Sequence, residues 1–122
     1  MRKIMFRGKC DDKWHFGDLL HAFYDNELVI EERDIRGCII RNRIVPATVG
    51  QFTGLRDADG REIYEGDIVS WGDGTPPTSV RWNEHFAYYV IMESLILSHA
   101  CKAVRVIGNV YDNPELLEEA HV

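Results

Sequence analysis

Cysteine is scarce in this chain of 122 residues: Cys10, Cys38 and Cys101 stand far apart, form no CxxC pair and leave one thiol over. Such usage excludes a disulfide framework and leads one to expect a reducing compartment, the cytoplasm. No apolar run approaches the roughly 20 residues that a membrane helix needs, and the start, MRKIMFRGKC, lacks the apolar stretch of a secretory signal. A soluble protein is therefore expected. Also missing are a Walker A lysine, a nucleophile-elbow serine and an HExxH pair, so the common phosphate, hydrolase and zinc-protease signatures are absent. Basic residues run short in one half only. Residues 1–61 carry 11 basic and 10 acidic side chains, whereas residues 62–122 carry 3 and 10, for a net charge of -6.

An acidic second half repels phosphate backbones, because non-specific affinity for nucleic acid comes mostly from Lys and Arg releasing counterions. Simple DNA or RNA binding is disfavoured. Two basic groups, Arg2, Lys3, Arg7, Lys9 and Lys13, then Arg33, Arg36, Arg41 and Arg43, leave room for a local basic face beside Trp14 and Phe16, and a nucleic-acid accessory role is the alternative reading. With 45% hydrophobic and 28% charged residues, a core can form without metal or disulfide. One domain spanning 1–122 is expected, with strands over 1–45, a barrel-like core over 46–112 and a short helix over 113–120.

Short segments with turn punctuation favour strands over long helices. Lys3 to Arg7 alternates, Asp11 to Lys13 supplies a turn, and KWHFGDLL reads as a strand with Trp14 and Phe16 on one face and His15 on the other. His21 to Tyr24 fits a helical turn before a reversal at Asp25 and Asn26. Strands follow at Leu28–Glu32, Cys38–Val45 and Gln51–Leu55, with a tight turn at PATV. In DADG, Asp57 to Gly60, glycine supplies the positive φ of a hairpin loop while Asp57 bonds back to its own backbone, and in YEGD Gly66 bends the chain before Asp67–Trp71. WGDGTPP is a loop, Thr78–Trp82 a strand, Asn83 to His85 a reversal, and Phe86 to Glu93 a long strand apolar on both faces. Ser94–Ala103 is open between loop and short helix. VRVIGNVY closes the sheet region, and Asn113 caps a helix entered through Pro114. No repeat is expected.

Three chemical readings compete for these residues. An EF-hand register would align Leu55 and Gly66 where oxygen ligands belong, so Asp57 and Asp59 read as turn formers and not as calcium ligands. Cys10, His15, His21, Cys38, His85, His99 and Cys101 include zinc ligand types, but only His99 and Cys101 are close, and buried thiols with surface imidazoles are the plainer reading. Asp57, Asp59, Glu62, Glu65 and Asp67 offer paired carboxylates for acid and base work, yet crowded turns favour a solvated, fully ionised acidic rim. No catalytic, cofactor-binding or metal residue is assigned. Trp14, Phe16, Phe23, Tyr88 and Tyr89 include more aromatic surface than a small domain need bury, and the charge split suits head-to-tail contact between copies.

Taken in order, FRGK, KWHFGDLL, VPATVGQFTGL, DADGREIYEGDIV, VRW and VIGNVYDNPELL make the chain resemble the YopX family of small phage- and prophage-encoded proteins. The resemblance spans nearly the whole chain and departs mainly between His21 and Val45. It implies a predominantly β fold and homo-oligomeric assembly, and brings no assigned enzymatic activity, so a non-enzyme is expected. The resulting expectation is a mainly β protein of small, partly closed, barrel-like antiparallel sheets, with N-terminal hairpin strands and a short C-terminal helix.

Overall fold

The Asp11-Asp12 dipeptide shows how the sequence starts the fold, since both residues adopt positive φ (49° and 65°) and so close a two-residue hairpin whose twist matches its strands. Around it β1 (Phe6–Cys10) pairs antiparallel with β2 (Lys13–His21), Cys10 facing Lys13. This is a computed structural model, and it describes residues 4–21, 27–85, 87–92 and 95–118. The anticipated turn over His21 to Asn26 falls outside them, apart from His21, which ends β2.

The chain divides into two compact units, Met1–Phe52 and Thr53–Val122. In the first, β3 (Leu28–Arg33) lies between β2 and β4 (Ile39–Arg43), and β1 lies between β2 and the beginning of β5 (Gly50–Arg56). All these pairings are antiparallel. Pro46–Thr48 forms a single 3-10 turn where PATV predicted a reversal, and the Thr48 hydroxyl ties it to β1 by accepting the Lys9 N–H at 2.9 Å. Among the described residues of this unit, Ile30, Ile44 and Phe52 are the buried apolar ones.

In the second unit the end of β5 runs beside β6 (Glu62–Tyr64), and two three-stranded sheets follow. One places β7 (Asp67–Ser70) between β8 (Thr78–Ser79) and β12 (Arg105–Asn109); the other places β10 (Tyr88–Ile91) between β9 (Arg81–Asn83) and β11 (Leu95–Ile96). Between β11 and β12, Leu97–Ala100 forms one α-helical turn, α1, continued by a 3-10 turn at Cys101–Ala103. The core gathers Ile63, Val69, Val80, Ile91, Leu97 and Val104, all essentially solvent-free.

Antiparallel sheets and a short terminal helix, α2 (Glu115–Glu118), agree with expectation. Closure does not: among the described residues the sheets remain open and form no barrel. Two of the expected strands also differ. The expected strand Thr78–Trp82 breaks at Val80, whose N–H donates to the Asp67 carbonyl (2.8 Å) and whose carbonyl accepts the Gly66 N–H (2.9 Å), so that β8 serves one sheet and β9 the other. The long strand expected over Phe86–Glu93 shrinks to Tyr88–Ile91, because Ala87 (φ 57°) and Met92 (φ 55°) turn left-handed at its two ends. Tyr89, Val90 and Ile91 are all buried, in keeping with a strand that is apolar on both faces.

The C-terminal cap also differs from expectation. Asn113 does precede the helix, and its carbonyl accepts the Leu116 N–H at 3.1 Å, but its side-chain oxygen reaches back to accept the N–H of Asn109 at 3.2 Å. Gly108 makes room for it, since a Cβ there would sit 2.5 Å from Asn113 Oδ1.

Candidate functional site

The acidic turns are assembled from short-range geometry. Asp57 opens a turn in which the Gly60 N–H donates to its carbonyl (3.0 Å) while Gly60 takes φ +83°. Its Oδ1 accepts the N–H groups of Asp59 and Arg61, each at 2.9 Å, and its Oδ2 accepts the N–H of Val106 on β12, also at 2.9 Å. Asp57 is only 2% exposed. Burial pushes its carboxyl upward, but the Val106, Arg61 and Asp59 amides and the Arg61 charge outweigh that and hold it below the usual carboxylate range. Asp67, likewise 2% exposed, accepts the Tyr64 N–H at 2.7 Å across the turn that Gly66 (φ 92°) makes.

The expected solvated rim is thus corrected for its two central members. Asp57 and Asp67 are buried acceptors consumed by backbone amides, because a turn that folds onto its own core must satisfy its N–H groups internally. Asp59 does lie at the surface, where it pairs with Arg105 at 3.0 Å. Glu62 and Glu65 are half-buried on and after β6.

The metal-ligand types are dispersed. His15 meets Glu32 (3.2 Å) and Asn42 (3.2 Å), while Glu32 also takes the Phe16 N–H at 2.9 Å, where its carboxylate substitutes for a strand partner. Cys10 is half-buried, with burial and the neighbouring Asp11 carboxylate raising its pKa, Cys38 is exposed, and Cys101 is buried with its thiol 3.9 Å from the Ser98 carbonyl. His21, His85 and His99 are exposed. Among the described residues no three His, Cys, Asp or Glu side chains come together as a metal site.

For the basic and aromatic groups, β1 and β2 place cations against a ring: the Arg7 guanidinium lies 4.7 Å and the Lys9 ammonium 5.7 Å from the Trp14 centroid. Phe16 remains 43% exposed. Arg2, Lys3 and Phe23 fall outside the described residues. Tyr89 is buried and meets Trp82 edge-on at 4.8 Å, and Tyr88 is half-buried.

A feature that the sequence reading missed recurs in the two units. Arg33-Asp34-Ile35-Arg36-Gly37 and Arg56-Asp57-Ala58-Asp59-Gly60 build the same turn. In the first, Asp34 N–H donates to the Cys38 carbonyl (2.9 Å), Gly37 N–H to the Asp34 carbonyl (2.9 Å), and Asp34 Oδ1 accepts from Arg36 (2.8 Å) and Cys38 (2.9 Å). In the second, the Asp57 N–H likewise donates to Arg61 (2.9 Å). Each glycine carbonyl accepts a guanidinium N–H from the arginine before the aspartate, at 3.4 Å from Arg33 and 3.0 Å from Arg56, and Gly37 (φ 85°) matches Gly60. The available signal was the recurrence of RDxxG between two strands, a repeat too short to register as an architectural one.

The two turns differ in what they touch. Asp57 and Ala58 lie against the start of β12: the Asp57 carboxylate accepts from Val106, and the Ala58 N–H donates to the carbonyl of Val104, just before the strand, at 2.9 Å. Ile35, the counterpart of Ala58, is fully exposed, and next to it Ile39 and Ile40 on β4 are 48% and 44% exposed.

The family model described as YopX protein matches residues 6–118, which is nearly the whole chain. This chain belongs to the YopX family. Its fold is similar to that of protein EF1440 from Enterococcus faecalis, known from a crystal structure, at a TM-score of 0.56 and 17% sequence identity over 96% of this chain and 99% of that one. No curated protein matches the chain. Membership of the YopX family therefore places the fold and leaves the activity to the surface itself; among the described residues no helix is long and apolar enough to cross a membrane.

Proposed function

We propose that this YopX-family chain is a non-enzymatic binding module, encoded by a phage or prophage and acting in the bacterial cytoplasm, that works by associating with copies of itself. One observation carries the reading. The β3–β4 hairpin presents an open strand edge together with exposed Ile35, Ile39 and Ile40, a combination that monomeric proteins blunt and assembling proteins use. Against catalysis stands the use of the acids: Asp57 and Asp67, the two carboxylates best shielded from water, are occupied by backbone donors.

Light scattering at micromolar concentration tests the reading, with a mass at a multiple of 14.1 kDa expected and a monomer overturning it. Added salt should loosen the assembly where opposite charges meet. The nucleic-acid alternative fares less well, since the Trp14 ring that would stack a base already carries Arg7 and Lys9. Fluorescence polarisation with single-stranded oligonucleotides at low salt should give no binding, and measurable affinity that falls with salt would restore that alternative.

A further inference from the structure

We propose that a cleft in the second unit, lined by Trp82, Tyr111, Glu65 and Glu84, takes an arginine side chain presented by a partner protein. The cleft lies wholly within the second unit, and the inference goes beyond the self-association at β4 without resting on it. Three segments singled out in the sequence meet there: Glu65 and Gly66 from YEGD, Val80 to Trp82 from VRW, and Val110 with Tyr111 from VIGNVY. Backbone hydrogen bonds hold them together. The Gly66 N–H donates to the Val80 carbonyl and the Val110 N–H to the Gly66 carbonyl, each at 2.9 Å, so Gly66 ties the segment leading into β9 to the one leaving β12. The two aromatic residues are held in place as well: Trp82 meets the buried Tyr89 edge-on at 4.8 Å, and the Tyr111 N–H donates to Asn109 Oδ1 at 3.0 Å. Trp82 and Tyr111 nonetheless remain 43% and 37% exposed.

The chemistry of the lining selects a cation. Aromatic faces attract cations through the ring quadrupole, tryptophan most strongly, and the Glu65 and Glu84 carboxylates add charge of the right sign. Arg81, the cation of the lining, is already engaged, because its guanidinium donates to the Met92 carbonyl. In the first unit Trp14 carries Arg7 and Lys9, whereas among the described residues no cation lies over Trp82. The surrounding sequence agrees, with 3 basic against 10 acidic side chains over residues 62–122. Such a field repels phosphate, so a nucleotide fits poorly. At about 330 Å³ the cleft stands at the small end of ligand sites, which suits a single side chain. A guanidinium suits it better than an ammonium, because the planar group stacks on an aromatic face while its in-plane N–H groups still reach a carboxylate.

Titrating the isotope-labelled full chain with a blocked Gly-Gly-Arg-Gly-Gly peptide tests the site by NMR. The indole N–H resonance of Trp82, assigned by its loss in Trp82→Phe, should shift and saturate with a dissociation constant of about 1 mM, together with the amides of Gly66 and Tyr111. The same peptide with citrulline, which keeps the shape of arginine and loses its charge, should bind about tenfold more weakly or worse. Glu84→Gln, at an exposed position, should weaken the arginine peptide about threefold, and Tyr111→Leu about tenfold, with circular dichroism unchanged; added salt should weaken it further. Light scattering of both variants should return the wild-type mass, and loss of assembly would make the occupant an arginine of a second copy and overturn the separate partner. The site itself falls if citrulline binds equally, if neither variant changes the affinity, or if the Trp82 resonance shows no saturable shift up to roughly 10 mM.

Discussion

Substituting Asp57 tests the account of the acidic turns most directly. In Asp57→Asn the retained Oδ1 can still accept the Asp59 and Arg61 amides, so the turn itself survives. The outer oxygen becomes an NH2 group facing the Val106 N–H, donor against donor, at a site 2% exposed. A charge-assisted hydrogen bond of this kind contributes about 1.5–3 kcal/mol, and a buried donor left unmet costs about 1–3 kcal/mol, two views of one loss and not a sum. The expected destabilisation is therefore about 2–3 kcal/mol, or roughly 10–20 °C in the midpoint of a unit of this size. Urea titration followed by tryptophan fluorescence and a thermal scan would read it.

A pH series sharpens the same experiment. The carboxyl is held below its ordinary value in the folded protein, so as pH falls the unfolded chain takes up its proton first. The stabilisation from Asp57 is complete above the unfolded value of about 3.9 and is lost as pH falls through the lower folded one. Wild-type stability should thus decline below about pH 5 more steeply than that of Asp57→Asn. Equal slopes, or a cost under about 0.5 kcal/mol, a size usual for surface substitutions, would refute the claim that this carboxylate works as a buried ionised acceptor.

Three further substitutions follow from packing. At Gly17 an added Cβ would lie 2.2 Å from the Glu31 carbonyl oxygen, backbone that cannot yield, so Gly17→Ala should cost about 2–4 kcal/mol by urea unfolding. At Gly8 the nearest atom is the Ile44 Cδ1 methyl at 2.5 Å, and because a side-chain end can turn away, Gly8→Ala should cost less; the reverse order would contradict the β2–β3 register. Leu97→Ala, at a side chain with no exposed surface, should remove about 2–5 kcal/mol from the second unit, and a loss below 1 would place α1 outside the core.

Much of this architecture is local, and local chemistry can be read from a sequence. The Asp11-Asp12 reversal, the PATV turn and the hairpin at Gly60 each depend on a few adjacent residues whose φ preferences or side-chain acceptors leave little choice. At Val80 and Asp57, where the reading erred, the deciding partner lay far away in sequence. Val80 interrupts an unbroken apolar alternation because its backbone meets Gly66 and Asp67. Asp57 and Asp67 looked like solvated acids because their composition is that of a surface turn. Their burial depends on Val106 and on the fold of Tyr64 over Asp67.

The RDxxG pair carries that lesson furthest. The internal hydrogen bonds of the two five-residue segments do not distinguish a turn that is buried from one that is exposed, since both make the same set and place the same glycine at positive φ. The difference is set by the third residue of the segment and by what lies opposite. Alanine at 58 permits close approach of β12, whereas isoleucine at 35 holds a large apolar side chain in water. A fully exposed isoleucine at a rigid tip is unfavourable for an isolated chain by roughly 1.5–3 kcal/mol relative to burial. Because the internal bonds of the turn fix its backbone in advance, covering that side chain would recover the term with little further ordering cost, which is the energetic argument for association at this hairpin.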